Sequence, residues 1–218
     1  MGETKSYAVG HFAFGYILSR SSAELLKTRI NIPLVLALSI IPDVDVWLSN
    51  FVAHRGPTHS IIMATLVFIP VLFIYRTKAV PYFVALVQHS LIGDLITGRN
   101  NQMLWPATTQ YYGLNIDIAS TTNMALEWTI FLISIIVMIK AKDIADLLSR
   151  RSSNLILAVP TFTVLLPTFV AQPIEVPPAL MLPHIAYLVI FLASIIATCW
   201  KFLAMHKLET RMRSGVNR

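Results

Sequence analysis

Within the eighteen residues from Asp43 to Ser60, a very apolar chain places two aspartates, Asp43 and Asp45 in IIPDVDVW, and then His54, Arg55 and His59 in HRGPTHS. All five are costly to bury in hydrocarbon unless paired or bound to a metal. Imidazole nitrogen and carboxylate oxygen together make the donor set of zinc and other first-row divalent ions, and a hydrolytic site keeps one coordination position open for water. His11, His89, Asp94 and Glu127 bring the candidate donors to eight. Eight exceed the needs of one tetrahedral ion. Two or more ions, a pair of them roughly 3.5 to 4 Å apart, would use the surplus and are the usual device for displacement at phosphorus.

Such donors need a scaffold. Of the 218 residues, 56% are hydrophobic and 13% charged, whereas about a quarter of a soluble domain is charged. The chain therefore reads as an integral membrane protein. Its apolar runs have the length a helix needs to cross about 30 Å of hydrocarbon, and the alternation of a membrane barrel is absent. The expected fold is all-α, a polytopic bundle of about seven transmembrane helices over 7–24, 31–50, 59–76, 79–98, 118–140, 153–171 and 178–201, the first one short. Residues 1–140 would form the core that carries the donors, 141–201 two additional helices, and 202–218 a basic cytoplasmic tail.

Charge sets the expected orientation. With the N-terminus outside, fourteen of the seventeen lysines and arginines fall on the inner side, leaving Lys5, Arg55 and Arg99 outside. By the positive-inside rule the chain is a multi-pass cell-membrane protein, N-terminus out and C-terminus in. His11, His54, His59, His89, Asp43, Asp45, Asp94 and Glu127 then collect at the non-cytoplasmic face. The basic tail reads as an anchor to anionic lipid rather than a nucleic-acid site. The single cysteine, Cys199, excludes an intrachain disulfide.

Local signals place the donors at element ends. Pro42 disfavours helix in the residue before it, which puts Asp43 and Asp45 on a kinked or unwound terminus. Gly56-Pro57 makes a turn, with Thr58 expected as the N-cap of the next helix and His59 and Ser60 in its first turn. The polar loop Gly98–Asn115, with Trp105, Tyr111 and Tyr112 at headgroup level, is expected to contact substrate. Gln172–Pro178 reads as a stiff outer turn, and His184 as an interhelix hydrogen-bonding residue.

The order GHFAFG, PDVD, HRGPTHS, HSLIGDLITG and LWP, over about residues 8 to 130, resembles the family of membrane-bound metal-dependent hydrolases typified by YdjM-like bacterial proteins. That family is in turn similar to zinc-dependent phospholipases C and related single-strand nucleases. The resemblance implies that His11, Asp43, Asp45, His54, His59, His89 and Asp94 are metal ligands or sit beside them, and that Glu127, in NMALEW, corresponds to a later acidic position. One spacing departs from the pattern. His89 and Asp94 are five residues apart, about 140° around a straight α-helix, so both reach one ion only if the helix bulges or ends there; Gly93 makes that unwinding possible.

The expected function is metal-assisted hydrolysis of a phosphoester in a phospholipid or lipid-linked phosphate at the non-cytoplasmic face, with zinc as the expected metal. Arg55 would bind the phosphate, and Asp43 or Asp45 would accept the proton of the attacking water. Two other classes compete: a protein that binds or transports a metal ion without hydrolysis, and a scaffold stapled by one. Transport favours ligands at the bilayer midplane and repeated halves, neither of which the sequence shows.

Overall fold

In the computed structural model, which describes residues 7–48, 51–97, 100–114, 116–170 and 176–216, every regular element is helical. The first helix, α1 (Ala8–Leu25), occupies the middle of the bundle. Val9, Phe12, Ala13 and Tyr16 have no exposed surface, as expected for a helix that is apolar on all sides. Around it stand α4 (Val80–Gln88), α5 (Thr121–Lys140) and the long final helix α8 (Pro178–Val216). Phe12 is the hub of the core, 5.3 Å from the ring of Tyr187 and 5.2 Å from that of Phe191, both on α8.

The span expected over 31–50 is not one helix. The chain makes the short helix α2 (Ile32–Leu38), capped by the Asn31 side chain accepting from the Leu34 amide, then turns at Ser39 and Ile40 into a 3₁₀ segment, Ile41–Leu48. Pro42 supplies the reason, since the residue before a proline is pushed out of the α-helical region. This break carries Asp43 and Asp45 sideways into the protein.

Four helices among the described residues are long and apolar enough to cross a bilayer, against the seven expected: Ile61–Lys78, Thr121–Lys140, Ser152–Phe169 and Pro178–Ala204. The first contains α3 (Ile61–Tyr75), which has Phe68 as its buried residue and otherwise offers a surface suited to lipid. After α5 the chain makes the short α6 (Asp143–Leu148) and then α7 (Ser152–Phe169), a composite of 3₁₀, α and π turns. Val80–Ile96 is apolar but shorter, and α1, which carries Arg20 and Glu24, is covered by protein. The outer turn expected at Gln172–Pro178 lies largely outside the described residues.

At the end of the bundle away from the donors, α1 is tied down by polar bonds. The Tyr16 hydroxyl donates to Asp143 Oδ2 at 2.6 Å, Arg20 Nη1 lies 3.5 Å from Asp143 Oδ1, and Ser19 donates to the Pro81 carbonyl at 2.8 Å. Asp143 is buried. Tyr16→Phe is therefore expected to destabilise the protein by about 1–3 kcal/mol, because a buried carboxylate loses a donor it cannot replace with water. Thermal unfolding of the purified variant in detergent checks this; an unchanged midpoint would show that Arg20 alone satisfies Asp143.

A candidate metal centre at the α2 and α4 ends

Four donors converge from three segments. Asp43 comes from the 3₁₀ segment after α2, His59 from the turn before α3, and His89 and Asp94 from the end of α4. His59 Nε2 lies 3.3 Å from Asp43 Oδ1, 3.4 Å from Asp94 Oδ2 and 3.3 Å from His89 Nε2. His89 Nε2 lies 3.4 Å from Asp43 Oδ1 and 3.8 Å from Asp94 Oδ2. Zinc bonds to nitrogen and oxygen measure about 2.0–2.2 Å, which gives a regular tetrahedron edges of roughly 3.3–3.6 Å. Four of these five distances fall at that length and the fifth, His89 to Asp94, is 3.8 Å, so the donors sit at the spacing of ligands around a divalent ion.

The His89–Asp94 spacing is solved by the helix itself. From His89 to Thr97 the chain is a π-helix, whose i→i+5 bonding stacks residues five apart on one face. The five-residue interval that an α-helix would splay is the one that a π turn aligns.

Around these four, other groups fix their orientation. His89 Nδ1 lies 2.8 Å from the Ser39 carbonyl, which selects the tautomer that leaves Nε2 as a donor to an ion. His59 Nδ1 faces Asp45 Oδ2 at 3.4 Å, the arrangement in which a carboxylate orients an imidazole. Asp45 is committed further, to His54 Nδ1 at 2.7 Å, to the Thr58 hydroxyl at 2.5 Å and to the Arg55 amide at 3.3 Å. Asn101 donates to Asp94 Oδ2 at 3.3 Å and to the Ser90 carbonyl at 3.2 Å. Sequence reasoning passed over Ser39, Thr58 as a partner of Asp45, and Asn101. The first acts through its backbone, and an asparagine in a polar loop carries no mark of what it will face.

Asp45 and His59 lie outside the candidate spans, and their proton affinities report the electrostatics. Burial penalises the charged form of each. For Asp45 the hydrogen bonds from His54 and His59 prevail and hold the carboxyl well below the usual carboxylate range. For His59 the bonds to Asp43 and Asp45, with the charge of Asp94, prevail and push the imidazole up to about 10. The centre is thus a strongly negative cage that holds a positive charge.

His11 stacks on His89 with ring centroids 4.0 Å apart, and its Nε2 lies 3.7 Å from Asp94 Oδ1. With His89 and Asp94 it makes a second three-donor group beside Asp43/His59/His89, and Asp45/His54/His59 makes a third. Gly93 is required here, since a Cβ on it would overlap the His11 ring. Gly93→Ala is expected to cost about 1–3 kcal/mol through overpacking and to lower metal content together with thermal stability. Equal metal content in the variant, measured by elemental analysis, would show that His11 can move aside.

Glu127 belongs to none of the three groups. It is buried on α5 against the α1 backbone, where a Cβ at Gly10 would come within 2.7 Å of its Oε1. His184 is buried, but its Nδ1 bonds the Leu180 carbonyl of its own helix at 2.9 Å rather than another helix. The expected N-cap of α3 also shifts. Pro57–His59 is a 3₁₀ turn and Ser60 caps α3, accepting from the Met63 amide at 3.2 Å, which frees Thr58 for Asp45.

Arg55 enters from a backbone held at φ 63°. Its side chain is 7% exposed and approaches Asp94 Oδ1 only to 4.0 Å. Nη1 and Nη2 are buried with no hydrogen-bond partner among the described residues, and His54 Nε2 is in the same state. The loop expected to contact substrate closes over this turn: the Gln102 amide donates to the Arg55 carbonyl at 2.9 Å, the Ile61 amide to the Met103 carbonyl at 2.9 Å, and the Ser60 hydroxyl to the Trp105 carbonyl.

No curated protein and no solved structure matches the chain. The profile of the YdjM inner membrane proteins does match, over residues 7–176, a stretch that runs from the residue before α1 to the connection before α8 and contains every donor described above. With three quarters of its length aligned, apolar helices long enough to cross a bilayer and His/Asp groups able to hold a metal, the chain belongs to the YdjM inner membrane protein family.

Proposed function

We propose that the protein is a membrane-embedded, metal-dependent phosphoester hydrolase whose substrate is a phospholipid or a lipid-linked phosphate. The observation that carries the reading is the pair of buried guanidinium nitrogens of Arg55, without hydrogen-bond partners among the described residues, beside a His/Asp cluster able to hold a metal. A buried guanidinium without hydrogen bonds is costly, and its planar fork matches two oxygens of a phosphate.

Asp43, His59 and His89, one of the three-donor groups, would hold a divalent ion, with zinc the best fit to the donor types, and the fourth position beside Asp94 would stay open for water. When bound, such an ion lowers the pKa of a coordinated water and offsets charge on phosphate oxygens. Arg55 binds and orients the phosphate. Asp45 is occupied by His54, His59 and Thr58, so it positions and does not itself take the proton. That role passes to His54, whose Nδ1 is fixed by Asp45 and whose Nε2 is unpartnered among the described residues. Asp43, at 14% side-chain exposure, is the one member of the cage in contact with the surface and marks the side from which substrate enters. The donors of His11 complete the wall behind His89.

The decisive experiment is elemental analysis of the purified protein with an assay against a panel of phospholipids and polyprenyl phosphates, repeated with Asp43→Ala and His59→Ala. Stoichiometric metal with turnover that both variants lose supports the reading. Stoichiometric metal without turnover on any substrate would leave a metal-binding protein and overturn it.

The positive-inside count supports an N-out topology with the cage at the non-cytoplasmic face. Ala107→Cys in a Cys199→Ser background, on the exposed part of the loop over the cage, is expected to react with an impermeant thiol reagent applied to intact cells. Reaction only after lysis would reverse the orientation.

A further inference from the structure

A second polar site lies at the opposite ends of the same helices that build the metal cage. A cavity of about 280 Å³ is lined by Arg29, Asn31, Tyr82, Asp146, Arg151 and Asn154, among others. Asn31 caps the start of α2, whose far end carries the Ser39 carbonyl bonded to His89; Tyr82 stands in the first turn of α4, whose far end carries His89 itself. Two short helices thus connect the cavity with the cage.

The cavity walls are built for a specific pattern of charge. Arg151 Nη2 donates to Asp146 Oδ1 at 3.0 Å, which leaves Arg29 as a cation with no ion-pair partner among the described residues. The Tyr82 hydroxyl accepts from the Asn31 amide at 2.8 Å and keeps its own proton to donate. Asn154 is wholly buried behind this wall, where its Nδ2 donates to the Leu147 and Ser149 carbonyls and holds the turn that carries Arg151. Arg29 and Arg151, both exposed, thus line one cleft with the Asp146 carboxylate and the Tyr82 hydroxyl.

The positive-inside rule assigns these helix ends to the membrane surface. Arg20, Lys27, Arg76, Lys78, Lys140, Lys142 and Arg150 belong to the same helix ends, at the close of α1, α3 and α5 and the start of α4 and α7. We propose that this cavity binds the phosphate of a phospholipid headgroup, with Arg29 and Arg151 on the phosphate and Asp146 accepting from the hydroxyl or ammonium of the headgroup alcohol. A phosphodiester that carries such a donor satisfies both halves of the wall, and a soluble phosphate ester of the same alcohol shares that chemistry.

Native mass spectrometry of the full-length protein in detergent tests this, with phosphatidylglycerol, diacylglycerol and glycerol phosphate as separate probes. Phosphatidylglycerol is expected to stay bound to the wild type, with retention reduced about tenfold by Arg29→Gln or Arg151→Gln, the loss expected for one charge-assisted contact. Lys140→Gln, an exposed charge at the same level but outside the cavity, is expected to leave retention within about twofold, as exposed charges contribute little. Glycerol phosphate bound as well as the lipid, with the same two variants sensitive, would support the site and assign it to the soluble ester. Equal loss in all three variants would reduce the binding to general surface attraction, and diacylglycerol retained as well as phosphatidylglycerol would remove the phosphate from the account; either overturns the proposal. Because retention is read without turnover, its failure leaves the hydrolase reading untouched, and the reverse holds too.

Discussion

His59→Ala is expected to release the metal from the purified protein, with affinity reduced by more than about a hundredfold, beyond what loss of an orienting partner produces. His59 is the residue on which the cage turns. Its Nε2 reaches Asp43, Asp94 and His89 within 3.3–3.4 Å, and its Nδ1 reaches Asp45. Removing it takes away one donor and leaves three carboxylates facing one another without a cation, which the buried site cannot tolerate. Elemental analysis before and after dialysis against a weak chelator measures the loss. Retention of a full equivalent by His59→Ala would place the ion elsewhere.

The same residue fixes the sign of a pH dependence. In the ion-free protein the His59 imidazole is pushed up to about 10, so across the ordinary pH range a metal must displace its proton. Binding then releases a proton, and apparent affinity is expected to fall roughly tenfold for each unit the pH drops below that value and to level off above it. Titration with zinc at pH 6, 7 and 8 reads the slope. An affinity independent of pH would mean that His59 is not a ligand.

Arg55→Ala carries the second large effect. Turnover of the phosphoester substrate is expected to fall about 10²–10³-fold with metal content unchanged, the range seen when one preorganised donor to a developing anion is removed. Arg55→Lys should recover only part, because an ammonium keeps the charge but loses the fork that grips two oxygens. The pair of variants separates two roles. If Arg55 served only to offset the charge of Asp94, 4.0 Å away, lysine would restore the wild-type rate, and alanine would lower stability along with activity.

The phospholipase C and nuclease likeness read from the motifs gains nothing from the curated proteins or solved structures, none of which matches. The hydrolase reading therefore depends on the cage and on Arg55, and these two variants address those parts separately.

Composition by itself determined a helical membrane protein, and the residue types named donors that the structure gathers: His11, Asp43, Asp45, His54, His59, His89 and Asp94 fall into three groups able to hold a metal. Local signals went further where the constraint is local, as with Pro42 breaking the second span and the five-residue His89–Asp94 interval requiring an irregular turn. Only the tertiary structure decided which donors lie together. Asp45 faces His54, His59 and Thr58, and Glu127 lies against the α1 backbone apart from all three groups, because side-chain direction follows from packing between segments distant in sequence. The number of long spans was likewise out of reach. Hydropathy measures transfer from water to an apolar medium, and it treats lipid and the protein interior that buries α1 as the same solvent.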